Sequence, residues 1–195
     1  MPRNRLEAFA DGIFAFAATL LILNLAVVES RPLAGELTRI WTSYVAYGVS
    51  FVTIGILWVN HHTLMHQVGH VDRTFLMINI FFLMFIAFIP FPTRLLALYV
   101  TSDQAEPAAL AYGITLTMTA ALINILWRYA ATGRRLLRQD ADQKVVDGIS
   151  RSYLPGPPLY LTATAVALIN PLASAGLYLA IAIFYVLESS IFGRR

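Results

Sequence analysis

The stretch RLEAFADGIFAFAATLLILNL, residues 5–25, decides the fold. From Gly12 to Leu23 it is apolar or small except for Thr19, yet Arg5 and Asp11 stand at its threshold. A helix of about 20 apolar residues crosses the hydrocarbon core of a bilayer, so this run reads as a membrane span. An ionisable group inside such a span costs on the order of 2.5–3.5 kcal/mol on insertion scales unless it is paired. Asp11 therefore calls for a partner, and Arg5 and the histidines of the second span are the candidates.

The rest of the chain agrees. Of 195 residues, 58% are hydrophobic and only 13% charged, against about 25% charged in ordinary soluble domains. The mean hydropathy is +0.66. Six apolar spans follow one another at 6–28, 39–66, 73–99, 107–131, 153–170 and 172–192. The period-two alternation of a membrane barrel is missing, so the spans are expected to be helices. The fold class is an all-α membrane protein, one six-helix domain over 1–195. Pro90-Phe91-Pro92 predicts a kink in the third span or the end of its regular part. Asn170-Pro171 predicts the turn between the last two. The polar segment 132–151 predicts a linker with a short surface helix. Cysteine is absent, which excludes disulfides and thiolate metal sites. The first run is too long for a cleaved signal peptide and has no small-residue cleavage site behind it.

Topology follows from Lys and Arg. With the N-terminus inside, the inner side collects Arg3, Arg5, Arg73, Arg128, Arg134, Arg135, Arg138, Lys144, Arg151, Arg194 and Arg195. The outer side keeps Arg31, Arg39 and Arg94, beside Glu29, Glu36, Asp103 and Glu106. The bias places both termini in the cytoplasm. The slightly negative outer rim favours cations.

A helical projection of the first span, at about 3.6 residues per turn, gathers Phe9, Phe16, Leu20 and Leu23 on one face. Thr19 is the single hydroxyl among them. A separate flank carries Ala8, Asp11, Ala15 and Ala18, whose small side chains allow close helix approach. The second span ends in LWVNHHTLMHQVGH, which holds all four histidines: His61, His62, His66 and His70. His62, His66 and His70 recur every four residues, a spacing that can offer two ligands to a metal. A metal site would need a carboxylate or another histidine from a second segment, and only Asp11 and Asp72 are at hand. The plainer reading leaves His66 and His70 in interfacial water. Trp58, Asn60, His61 and His62 lie deeper, where buried polar groups need hydrogen-bond partners.

Two of these motifs carry a family resemblance. Arg5-x-x-x-Phe9-Ala10-Asp11 resembles the Arg-x-x-x-Phe-Ser-Asp signature of the transmembrane protein 175 family of potassium channels, with Ala10 in place of Ser. Trp58-Val59-Asn60-His61-His62 resembles the family's second-helix motif, and Pro90-Phe91-Pro92-Thr93 fits as well. The resemblance implies a homotetramer in a prokaryotic plasma membrane, with four first helices around a central pore for monovalent cations. It implies an apolar constriction at Phe16, Leu20 and Leu23, a selectivity role for Thr19, and a structural polar network of Arg5, Phe9, Asp11, Trp58, Asn60, His61 and His62. Phe16 stands where Ile or Leu is usual and narrows the path further. No enzyme activity, cofactor, resident metal or nucleic-acid partner is expected; the permeant ion is potassium. A proton-coupled carrier, a metal enzyme on His62, His66 and His70, and a non-conducting scaffold are the alternatives. No inverted repeat or pair of broken helices supports the carrier.

Overall fold

The computed structural model describes residues 3–26 and 32–192, with side chains through 187. Arg31, Glu29, Arg194, Arg195 and the last two positions of the first expected span lie outside the described residues. Within them the chain is helical, apart from turns and one isolated antiparallel bridge between Val68 and Leu137.

Nine α-helices are described: α1 (Arg3–Leu20), α2 (Leu33–Arg39), α3 (Trp41–Gln67), α4 (Arg73–Phe88), α5 (Pro90–Tyr99), α6 (Ala105–Ala131), α7 (Gln143–Tyr153), α8 (Gly156–Val166) and α9 (Pro171–Phe192). Four runs are long and apolar enough to cross a membrane: Arg3–Asn24, Trp41–Gln67, Arg73–Tyr99 and Ala105–Arg134. The fifth expected span, 153–170, holds a helix of only 11 residues, Gly156–Val166, about 16 Å long. Pro155, Pro157 and Pro158 explain its start, because residues without an N–H are tolerated only in a first turn. The linker 132–151 does contain a surface helix, α7, capped by Asp142, whose carboxylate accepts from the Lys144 amide at 2.8 Å. The sequence offers no element between the first two spans, yet Leu33–Arg39 form α2. Glu36 is buried there and paired with Arg39.

The expected break in the third span falls between Ile89 and Pro90. Pro90 and Pro92 remove two backbone donors, yet the chain stays helical through Ile89. Thr93 repairs the ladder locally: its amide and its hydroxyl both donate to the Ile89 carbonyl, at 3.1 and 2.8 Å. Ser50 Oγ lies 2.8 Å from the Thr93 hydroxyl and 2.9 Å from that of Tyr112. A short hydroxyl chain thus ties α3, α5 and α6 inside the core, where an unpaired polar group would be costly.

The central helix is α6, which packs against α4, α5, α8 and α9. Its Gly113 permits the α8 and α9 crossing. A Cβ there would collide with the Tyr178 hydroxyl and with Thr164. Small residues let helix backbones approach where no hydrophobic force drives them together. Gly113→Ala is therefore expected to destabilise the protein by about 1–3 kcal/mol, the usual range for overpacking. Gly48→Ala, on open space in α3, is the control. Thermal melting in detergent checks the pair, and equal melting of both variants would contradict the crossing.

Basic residues cluster at the start of α1, the α3–α4 connection and the end of α6. Arg138 N–H donates to the Gln67 carbonyl at 2.9 Å and Gly69 N–H to Leu136 at 2.8 Å. Asp72 caps α4, accepting from the Phe75 amide at 2.8 Å and from the Tyr129 hydroxyl at 2.6 Å. Those two donors hold its carboxyl below the usual carboxylate range, so the cap persists until the pH falls through that lowered value. Arg3 donates to the Val68 carbonyl at 3.0 Å, which moors the start of α1 to the same end.

Candidate functional site

α1 is held by one stripe only. Leu6, Ala10, Phe14 and Ala17 are its buried residues, continued by Leu21 in the 3-10 turn Leu21–Asn24. They pack against α3 and α4. The opposite side is open: Phe9, Phe16 and Leu23 are 53%, 62% and 68% exposed. Leu20 is half-buried and Thr19 exposed. The projection grouped Phe9, Phe16, Leu20 and Leu23 as equals on one face. The structure separates them, because the helix tightens after Leu20. The 3-10 turn Leu21–Asn24 advances by about three residues per turn instead of about 3.6, so Leu23 leaves the α-helical register of the residues before it. Ile22, also exposed at 50%, was not singled out in the sequence.

The closest-packed flank is also not the expected one. Ala8, Asp11 and Ala15 are exposed in the single chain; the tight contact runs along Ala10 and Ala17. Phe14, unremarked in the sequence, is the anchor. Its ring lies 5.7 Å from His61 and 6.0 Å from Phe82, and His61 stacks on Phe82 at 5.5 Å. His61 is buried, and its Nε2 pairs with Asn79 Oδ1 at 2.8 Å.

Asp11 has a partner, and it is Trp58: the indole Nε1 donates to the carboxylate at 2.8 Å. The indole in turn stacks on His62, with ring centroids 5.9 Å apart. Among the described residues, Arg5, Asn60, His61 and His62 make no hydrogen bond or ion pair with Asp11. His61 and Asn79 occupy each other in the core. Asn60 contributes its carbonyl to the Tyr153 hydroxyl at 2.5 Å. Arg5 is exposed, and the charge that anchors the base of α1 is Arg3, which also pairs with Glu7 at 3.5 Å. His66 and His70 are exposed. Among the described residues no three of His, Cys, Asp or Glu converge on a metal-sized site, so the His62, His66 and His70 arrangement does not form one.

The indole–carboxylate bond predicts a measurable coupling. Trp58→Phe keeps the ring and deletes the donor. Bonds to charged groups contribute about 1.5–3 kcal/mol, and partial exposure puts this one at the low end. A drop in melting temperature is expected for Trp58→Phe and for Asp11→Ala, with little further loss in the double variant. Additive losses would show that the two side chains act independently.

Among the described residues, four membrane-length runs, among them the centrally packed α6 and an amino-terminal helix bound along one stripe and apolar on the other, define an integral membrane protein of all-α class. The family described as "Endosomal/lysosomal potassium channel TMEM175" matches residues 5–90. A protein of Chamaesiphon minutus named as a potassium channel is 42% identical over 192 residues, covering 96% of this chain and 95% of its own length. A Streptomyces collinus protein of the same naming is 43% identical over 128 residues, 64% of this chain and 62% of its own. The crystal structure of a lysosomal potassium-selective channel TMEM175 homologue from Chamaesiphon minutus superposes with a TM-score of 0.87 at 40% identity, covering 96% of this chain and 97% of that one. The chain belongs to the TMEM175 family.

Proposed function

We propose that this chain is a passive, potassium-preferring cation channel of the plasma membrane, built from four copies whose α1 helices surround a shared axis. The observation that carries this reading is the division of α1. One stripe is fully packed inside the chain, while Phe9, Phe16 and Leu23 stay open. One chain has a single such helix, so several copies must converge to enclose a path. Similarity to the potassium-selective homologue supports the ion preference.

In this reading the chain crosses the membrane six times, with both termini on the side where the basic residues gather. α8 makes the fifth crossing although it is short. Its end is completed by tight turns, with the Ala167, Leu168 and Ile169 amides bonded three residues back; backbone satisfied in this way is tolerated at depth beside neighbouring helices. Phe16, Leu20 and Leu23 form stacked apolar rings that hold back ions by dewetting. Thr19 supplies four hydroxyls. Each hydroxyl proton is committed to the Phe16 carbonyl at 2.8 Å, so the oxygen lone pairs are what the axis sees. Such a ring suits a cation, and it favours potassium because potassium gives up its hydration water more readily than sodium. Asp11 and Trp58 hold α1 to α3, and Arg5 and Phe9 line the inner mouth.

The test is flux through proteoliposomes with a potassium or a sodium gradient, together with mass determination in detergent. Potassium flux exceeding sodium flux, from a species of four chains, is the expected result. Saturable flux driven by a proton gradient would replace the channel with a carrier.

A further inference from the structure

A second site lies at the inner end, away from α1. The last turns of α6 and the helix α7 enclose a cleft of about 300 Å³, lined chiefly by Asn124, Trp127, Arg128, Gln143, Asp147 and Ser150. Its walls are fixed by bonds of their own. Trp127 Nε1 donates to Ser150 Oγ at 2.9 Å, and Ser150 donates to the Val146 carbonyl at 2.8 Å. Gln143 donates to Asp147 Oδ1 at 2.9 Å and accepts from Arg134 at 2.9 Å. Asn124 donates its amide to the Tyr153 carbonyl at 2.8 Å.

What these bonds leave over is a matched pair of unlike charges. The Arg128 guanidinium makes no hydrogen bond or ion pair among the described residues, and Asp147 keeps its second carboxylate oxygen. The Asn124 Oδ1 is a further spare acceptor. The two charges face one cleft without being joined. A guanidinium takes a phosphate in bidentate fashion, and a carboxylate beside an amide oxygen takes a primary ammonium, which has protons to donate.

The level in the membrane selects the source of such a ligand. Arg128 sits in the last turn of a membrane-length helix. Trp127 and Tyr129 flank it in the chain and Tyr153 packs on Trp127, ring centroids 6.3 Å apart, an aromatic group of the kind found at the water–lipid boundary. Val145 and Leu154 of the α7 segment, outside the cleft lining, are exposed apolar side chains that acyl chains would cover. We propose that the α6–α7 cleft binds the headgroup of a zwitterionic phospholipid with a primary amine, phosphatidylethanolamine, its phosphate on Arg128 and its ammonium on Asp147 and Asn124.

The full chain in nanodiscs of equal parts phosphatidylethanolamine, phosphatidylcholine and phosphatidylglycerol, followed by native mass spectrometry, tests this. Phosphatidylethanolamine is expected to be enriched among retained lipids. Arg128→Ala is expected to cut that retention roughly tenfold, equivalent to about 1.4 kcal/mol. Asp147→Asn keeps the shape and is expected to abolish the preference over phosphatidylcholine, whose quaternary amine has no proton to give. Arg151→Ala, outside the cleft, leaves retention unchanged. Retention in proportion to supply would overturn the site. Enrichment of phosphatidylglycerol, or a preference indifferent to Asp147→Asn, would overturn the zwitterion. Thermal stabilisation by soluble phosphoethanolamine equal to that by the lipid would overturn the membrane source.

Discussion

Replacing Phe16 with Ala is expected to raise resting potassium conductance by roughly tenfold or more, equivalent to at least about 1.4 kcal/mol off the permeation barrier. The side chain is 62% exposed on α1 and belongs to no part of the buried core. In the proposed tetramer four such rings on one level would close a short, dry neck, and removing them would let a water column persist there. Phe16→Leu is expected to fall between the two, since it restores an apolar but slimmer ring. Planar-bilayer recordings of the three proteins check the order. Conductance that is unchanged or lower in Phe16→Ala would remove Phe16 from the gate and leave Leu20 and Leu23 to carry it.

The second large effect concerns the hidden side of the same helix. Phe14→Ala is expected to lower stability by an amount near the bottom of the roughly 3–5 kcal/mol seen when Phe is cut to Ala in soluble cores. The lower end applies because lipid tails are as apolar as the core, so little transfer energy is lost. What is lost is contact: Phe14 is 3% exposed and packs against the stacked pair of His61 and Phe82. Phe14→Leu retains most of that packing. Melting followed by circular dichroism in detergent separates the variants. An Ala variant that melts with the parent would mean that α1 is held by its ends and not by this stripe.

The contrast between Phe14 and Phe16 shows what the sequence made legible. Hydropathy sufficed for the first four spans, because each is long and apolar whatever its neighbours do. The open face of α1 was legible too, since Phe9 and Phe16 recur at helical spacing. Which of two aromatic residues, two positions apart, would be buried was not: apolar pattern has no contrast in a helix that is apolar nearly all round. The partner of Asp11 was missed for a related reason. Charge pairing pointed to Arg5 and the histidines, whereas the neutral indole of Trp58 sits in reach across the α1–α3 contact. Asn79 gave no signal at all, being one amide in an apolar run, yet it takes up His61. The shortness of α8 could have been read from its three prolines, 155, 157 and 158, which fix where that helix begins.

Both extremities of the first helix are fastened. Arg3 grips the Val68 carbonyl at one end, and at the other Asn24 donates to the carbonyl of Pro90 at 3.3 Å, on the bend of the third span. A rod pinned at two points cannot swing outward like a door. It can twist about its long axis or bow in the middle, where Gly12 has open space around it. Opening of the proposed neck would then be a twist or a bow of this rod, changing which side chains look inward while the attachments stay put.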